Sequence, residues 1–212
     1  MTADALMTLV QWLSPAFPTG GFAYSHGMEQ VIADGGIRSA ADLEAWLADV
    51  LRFGAGRQDA ILLAASLQPG ADHAALATLS RAVQPSAERL RETTEQGEAF
   101  ARTVAALTGQ AALSAPLPVA FGAAAAGLGL PAAQVIALYL HAFASNLVSA
   151  AVRFVPLGQT EGQAALAALH PLIASLAETA STLGPDALES AALGADLAAM
   201  RHETLDVRIF KT

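Results

Sequence analysis

The sequence predicts an all-α protein, a single helical-bundle domain of about eight to ten helices spanning residues 1–212. Three observations carry this reading. Apolar residues recur at three- and four-residue spacing in nearly every segment. No stretch alternates convincingly as a strand would. Proline and glycine punctuate the chain at intervals that leave only short loops, with no linker and no internal repeat. A chain of 212 residues is long enough for one substantial core.

Leu6, Leu9, Val10 and Leu13 repeat at helical spacing before Ser14-Pro15, where proline stops the helix. Ser39 begins a Ser-x-x-Asp cap, followed by Leu43, Trp46, Leu47, Val50 and Leu51 on one face. Gly54-Ala55-Gly56 interrupts that helix and residues 61–67 resume it. Pro69-Gly70 marks a turn, a short helix around 72–83 ends at Pro85, and a long one follows over 86–107. Pro131 sits where a first helical turn accepts proline and opens a helix to about Val155. Thr160-x-x-Gln163 and Asp186-x-x-Glu189 read as two further capping boxes, each before an apolar run.

Composition narrows the function. Hydrophobic residues make up 54% and charged residues 14%, with a mean hydropathy of +0.44. Such a chain buries unusually much of itself or presents apolar surface to a partner. A net charge of −8 argues against nucleic acid, because no basic patch is available to neutralise phosphates. The absence of cysteine removes disulfides, thiolate metal sites and thiol nucleophiles. Residues 103–152 contain no Asp, Glu, Lys or Arg, a length that can span a bilayer. Pro116, Pro118 and Pro131 with Gly122, Gly127 and Gly129 break that stretch, and alanine dominates its apolar content. A fully buried central helix hairpin is the expected outcome. Residues 1–13 carry Asp4 and no Lys or Arg, unlike a secretory signal, so a cytoplasmic chain without a membrane segment is expected.

The most distinctive stretch is Ser14-Pro15-Ala16-Phe17-Pro18-Thr19 followed by Gly20-Gly21-Phe22-Ala23-Tyr24-Ser25-His26-Gly27-Met28-Glu29. Two prolines bias the chain to extended conformations, and the glycine pair allows a left-handed backbone or a close approach. This run resembles the opening signature of the UreF family of urease accessory proteins, with Phe17, Thr19, Ala23 and Met28 as mild variants. Three further segments extend the resemblance over most of the chain. Arg91-Glu92 with Gln96-Gly97 is similar to R-E-x-x-x-Q-G. The run from Arg153 through Pro156 to Gln159-Thr160-Glu161-Gly162-Gln163 is similar to R-[LF]-x-P-L-G-Q-T-x-G-Q. His202-Glu203, Arg208, Ile209 and Phe210 resemble a C-terminal H-E-x-x-x-x-R-L-F-x-S.

In purely local terms these segments have structural readings. Arg91 and Glu95, and Glu98 and Arg102, stand at pairing distance on a helix, and a solvated charged face is the plain expectation for them. Gly97 inside that helix implies a close helix contact. Arg153 complements the dipole at a helix end, and Thr160 caps the next helix.

Catalytic constellations are missing. His26, His73, His141, His170 and His202 are scattered without a second ligand at metal spacing, and His202-Glu203 lacks the second histidine of H-E-x-x-H. Neither a phosphate-binding glycine motif nor a nucleophile elbow is present. No catalytic, metal or cofactor residue is assigned, and no enzyme activity is expected. One polar feature stands out: His141, Ser145, Ser149 and Arg153 wind along an otherwise apolar helix with Asn146 beside them. Such groups either bond within the bundle or form a seam facing an interface or a hydrated path.

The resemblance implies an adaptor that joins UreD (also called UreH), the GTPase UreG and the urease structural subunits. That assembly builds the nickel centre of urease, and a homodimer inside it is implied. Partner-contacting candidates are Gly20, Gly21, Tyr24, His26, Glu29, Arg91, Glu92, Gln96, Arg153, Gln159, His202, Glu203, Arg208, Ile209 and Phe210. The opening turn, Glu29 and residues 91–96 are expected to form an acidic face for UreG. Residues 201–212 are expected to be a tail that orders on UreD. A hydrolase using His26 or His202, or a regulator binding a small ligand in its apolar centre, are the competing readings.

Overall fold

The computed structural model describes residues 2–212. Among them are eleven α-helices and no strand: α1 (Ala3–Leu13), α2 (Met28–Ala33), α3 (Ala40–Phe53), α4 (Ala55–Ser66), α5 (His73–Ala82), α6 (Ala87–Thr108), α7 (Leu117–Ala125), α8 (Ala132–Ala151), α9 (Gln159–Ala168), α10 (His170–Ala180) and α11 (Leu193–His202). Short 3₁₀ turns occupy Gly21–Ala23, Ala126–Leu128 and Pro185–Ala187. The expected all-α bundle is what forms.

Most starts follow local chemistry. The Ser39 hydroxyl accepts the Asp42 N–H at 3.2 Å, and Ser86 does the same for Arg89 at 3.1 Å. Gly109 closes α6 in a left-handed conformation. Two expected caps lie elsewhere. Gly158 is the N-cap of α9, and the Glu161 carboxylate accepts its N–H at 2.8 Å, which leaves Thr160 inside the helix. Asp186 falls in a 3₁₀ turn, and Glu189 pairs with Arg57 at 3.3 Å, so the next helix waits until Leu193.

The centre of the bundle is α4. Gly56, Gln58, Asp59, Ala60, Ile61, Leu62, Leu63, Ala64 and Ser66 are all buried, so the helix is enclosed on nearly every side. Gly122 of α7 makes that enclosure possible, since a Cβ there would stand 2.6 Å from Ser66 Cβ and 2.9 Å from the Leu63 carbonyl. Around this axis Trp12, Phe17, Phe100, Phe121 and Tyr139 form a chain of tilted and edge-on ring contacts at 5.1–6.2 Å.

The expectation of a fully buried α7–α8 hairpin needs correction. α8 is the one helix among the described residues long and apolar enough to cross a membrane. It buries Val135, Ile136, Tyr139, Leu140, Ala144, Leu147 and Val148 along one face, while His141, Ser145 and Asn146 on the other are only partly covered. The winding polar stripe is therefore a half-open seam.

α11 has the opposite arrangement from a usual surface helix. Ala192, Ala198 and Ala199 face inward, whereas Leu193, Leu197 and Met200 are exposed. The small inner residues are required by a close approach: a Cβ on Gly27 would lie 2.7 Å from the Ala199 amide nitrogen.

Gly97 marks the tightest crossing, as expected of a glycine inside a long helix. Its Cβ would stand 1.9 Å from the Ala115 carbonyl and 2.8 Å from the Leu117 nitrogen, both backbone atoms. Gly97→Ala should cost at or above the upper end of about 1–3 kcal/mol for overpacking. Gly127→Ala, where a Cβ meets nothing within 4 Å, should be close to neutral. Urea midpoints of the two variants check this, and equal midpoints would contradict the crossing.

Candidate functional site

Three segments distant in sequence meet at one end of the bundle: the turn before α2, the first half of α6, and the chain after α11. The turn is shaped by backbone constraints. Gly20 and Gly27 both sit at φ +76, and His26 adopts φ 63, a left-handed conformation that few non-glycine residues hold. The His26 N–H donates to Thr212 Oγ1 at 3.2 Å, which anchors that strained residue. Gly21 needs no special conformation, and its Cβ would make ordinary contacts with Gln96 and Asn146. The positional demand therefore falls on Gly20 and Gly27, not on Gly21.

The α6 contribution corrects the solvated-face reading. Glu88, Arg89, Glu92, Thr93 and Gln96 are buried, on the same stripe as Gly97 and Phe100. The expected Arg91–Glu95 pairing is replaced by other partners. Glu95 accepts from the Tyr24 hydroxyl and from Lys211 Nζ, the latter at 3.0 Å, while Arg91 is exposed.

The end of the chain completes the site. His202 is fully buried between two carboxylates, with Nδ1 2.7 Å from Glu88 and Nε2 3.1 Å from Glu29. A neutral imidazole can donate to only one of them. The trio is satisfied when both ring nitrogens carry hydrogens or one carboxyl keeps its own. Glu29 also accepts the backbone N–H groups of Ile209 at 2.9 Å and Phe210 at 3.0 Å. Arg208 donates to Glu88. Thr212 donates its hydroxyl to Glu92 at 2.8 Å, and its carbonyl accepts from the Ser25 N–H and hydroxyl. Phe210 is buried edge-on against Phe154 at 5.0 Å, which brings in the turn after α8. Glu203 faces outward and accepts the Ala87 and Glu88 N–H groups at 2.8 and 3.3 Å, capping α6.

Electrostatics follow from this packing. Burial alone would raise the Glu92 carboxyl, but the paired Arg89 guanidinium, with the His26 ring 3.8 Å away, outweighs it and holds Glu92 at about 2. Burial, then the Arg89 charge, lower His26. Behind them, burial lifts Asp59 to about 6 against the pull of Arg89 and the 2.9 Å bond donated by the Tyr139 hydroxyl. His26 Nδ1 and Arg89 Nε lack hydrogen-bond partners, and both residues line a small cavity of about 10 Å³ with Gln58 and Asp196, the size of one water.

Of the sequence candidates, Tyr24, His26, Glu29, Glu92, Gln96, His202, Glu203, Arg208, Ile209 and Phe210 are brought together here. Gly20 and Gly21 frame the site, and Arg91 lies on its rim. Arg153 and Gln159 are exposed on the adjoining turn and stay outside. Two expectations are overturned. Glu29 is buried, so it cannot offer its charge to a partner. The C-terminal segment is already ordered on its own domain through Phe210, Thr212 and the glutamates, so removing it would uncover buried charge. Glu88, Arg89, Ser25 and Thr212 were missed. The available signal was the sharing of one α6 stripe by charged residues, Gly97 and Phe100.

Neither His26 nor His202 faces an open cleft, and the Ser25 hydroxyl is committed to the Thr212 carbonyl. Among the described residues no three His, Asp or Glu side chains converge as a metal site. Elsewhere, burial and the neighbouring His170 charge lower His141.

Two outcomes test the cluster. His202→Ala leaves Glu29 and Glu88 buried without their shared donor and should cost about 3–5 kcal/mol in urea unfolding. Glu29→Lys should prevent stable folding, whereas Glu29→Gln retains an acceptor and should be milder; soluble yield and unfolding midpoints rank them. For Asp59, the folded value of about 6 exceeds the unfolded value of about 3.9, so its contribution is complete below pH 4 and is lost as pH rises through 6. The stability of Asp59→Asn relative to the natural chain should rise by roughly 2 kcal/mol between pH 4 and 7. A pH-independent difference would contradict this.

The UreF family model matches residues 37–170. The chain is 70% identical over 208 residues to "Urease accessory protein UreF" of Cereibacter sphaeroides, covering 98% of this chain and 99% of that protein. It is 55% identical to the protein of the same name from Paracoccus denitrificans, over 98% and 96% of the two chains. With that of Roseobacter denitrificans the identity is 50%, over 100% and 96%. With that likeness extending over 98–100% of its length, the chain belongs to the UreF family of urease accessory proteins.

Proposed function

We propose that this chain is a non-catalytic adaptor of urease maturation, acting in the cytoplasm. It joins UreD/UreH, the GTPase UreG and the urease structural subunits, as a homodimer within that assembly, and influences GTP-dependent nickel delivery by UreG. The observation that carries this reading is the inverted α11. A helix that turns alanines inward and Leu193, Leu197 and Met200 outward leaves its largest apolar side chains without cover. Protein interfaces favour such apolar centres over charged ones.

The docked tail adds a second surface. The cluster fixes Arg208 and Phe210, and Val207 and Ile209 between and beside them remain 78% and 67% exposed. A segment held by its backbone with apolar side chains outward is pre-organised for binding, so little ordering cost is left at association. We assign Ile209 and Val207 to UreD/UreH and the α11 face to a further partner. The UreG face is moved away from Glu29, to exposed positions such as Phe22 and Arg91 on the rim of the opening turn.

The buried, engaged state of His26, His202 and Ser25 supports a role without chemistry of its own. Ile209→Asp and the triple change of Leu193, Leu197 and Met200 to serine should each keep the unfolding midpoint within about 0.5 kcal/mol, as expected for surface sites. Each should lose co-purification with at least one of UreD/UreH, UreG and the urease subunits. The purified chain should not hydrolyse GTP. Unaltered capture of all partners by both variants, or turnover by the chain alone, would overturn the proposal.

A further inference from the structure

His141 stands in the middle of α8 and His170 is the first residue of α10, and these two helices pack against each other. Their imidazole centroids lie 5.3 Å apart with the ring planes inclined at 46°. His141 is partly covered and His170 is exposed, so the pair opens to solvent. Unlike His73, which bonds the Ser66 carbonyl, and His202, which bridges two glutamates, neither ring has a hydrogen-bond partner among the described residues. The helix carrying His141 has no charged residue, and the carboxylate of α10, Glu178, lies two turns beyond His170.

Two imidazole nitrogens that bind one ion at about 2.0–2.1 Å across a tetrahedral angle place their ring centres roughly 5 Å apart. The observed separation matches that requirement with both backbones already fixed by helix packing. We propose that His141 and His170 form a two-imidazole site for a divalent transition-metal ion, Cu²⁺, Ni²⁺ or Zn²⁺. Water, or a donor from a docked protein, takes the remaining positions. All-nitrogen donation disfavours Ca²⁺ and Mg²⁺, which take oxygen ligands. Two neutral ligands leave the ion's charge uncompensated, so binding is weak and exchange is fast. The seam of Ser145, Ser149 and Asn146 next to His141 provides a hydrated approach.

The proposal concerns the isolated chain and does not depend on the adaptor role, so its test separates the two. Full-length protein is titrated with ZnCl₂ while imidazole resonances are followed by NMR, and with NiCl₂ and CuCl₂ by calorimetry, in a non-coordinating buffer. The expected result is one ion per chain, held most tightly as Cu²⁺. His141→Ala and His170→Ala should each weaken binding at least tenfold, and His73→Ala should leave it unchanged. Far-UV circular dichroism checks the fold, and the exposed His170 position serves should His141→Ala perturb it. Binding unaffected in the His170 variant, or no binding at millimolar Zn²⁺ and Ni²⁺, would reduce the pair to an aromatic contact only.

Discussion

The Glu29 carboxylate holds the architecture at one end of the molecule. One buried group accepts two backbone N–H bonds from residues 209 and 210 and stands 3.1 Å from His202 Nε2. Hydrogen bonds to a charged acceptor are stronger than neutral ones, and the burial of Glu29 increases their weight. Its position is set by α2, which can begin only because Gly27 reaches a left-handed conformation against Ala199. The order of dependence runs from a glycine, to a helix start, to a carboxylate, to the last residues of the chain.

A cluster of this kind contributes specificity as much as stability. Burying Glu29, Glu88, Glu92, Arg89 and His202 carries a desolvation cost that an apolar core of equal volume would avoid. The return is geometric. Each carboxylate has particular donors, so the tail has one register in which Glu29, Glu88 and Glu92 all find theirs. A purely apolar seam would tolerate sliding, and the side chains presented by residues 207 and 209 would then lack a defined position. The firm hold on Phe210 and the outward display of Ile209 are two results of one bend, where consecutive N–H groups turn to Glu29.

Much of the helical content was legible because it is local. Ser39, Ser86 and Pro131 mark starts that depend on residues within one turn, and Gly97 announced its crossing by being costly anywhere else in a helix. Prediction failed once within a single turn, and elsewhere because the deciding partner was far along the chain. Glu161 takes the capping role expected of Thr160 because Gly158 leaves its N–H within reach. Glu189 was drawn to Arg57, 132 positions away in the sequence, instead of capping a helix. At the site, the resemblance singled out Glu29, Glu92, His202 and Arg208 but could not say which were buried. The partners of Glu29, His202 and Arg208 lie 114 to 181 residues away, beyond any periodicity a single sequence displays. Glu88 and Arg89 could have been suspected, since they share the α6 stripe with Phe100.

The polar interior and the apolar exterior of this protein are complementary consequences of its composition. With charged residues at 14% of the chain, committing four of them, Glu29, Glu88, Arg89 and Glu92, to one buried cluster leaves fewer to cover the outside. α11 shows the result most clearly. Its inner face must be alanine so that Gly27 and the cluster beneath can approach, and its larger residues have only the solvent side available. The same constraint that seats the tail thus leaves Leu193, Leu197 and Met200 uncovered. An isolated enzyme would be poorly served by such a surface, which favours aggregation in the absence of a partner. A protein that works inside an assembly can use it, because the partner supplies the missing cover.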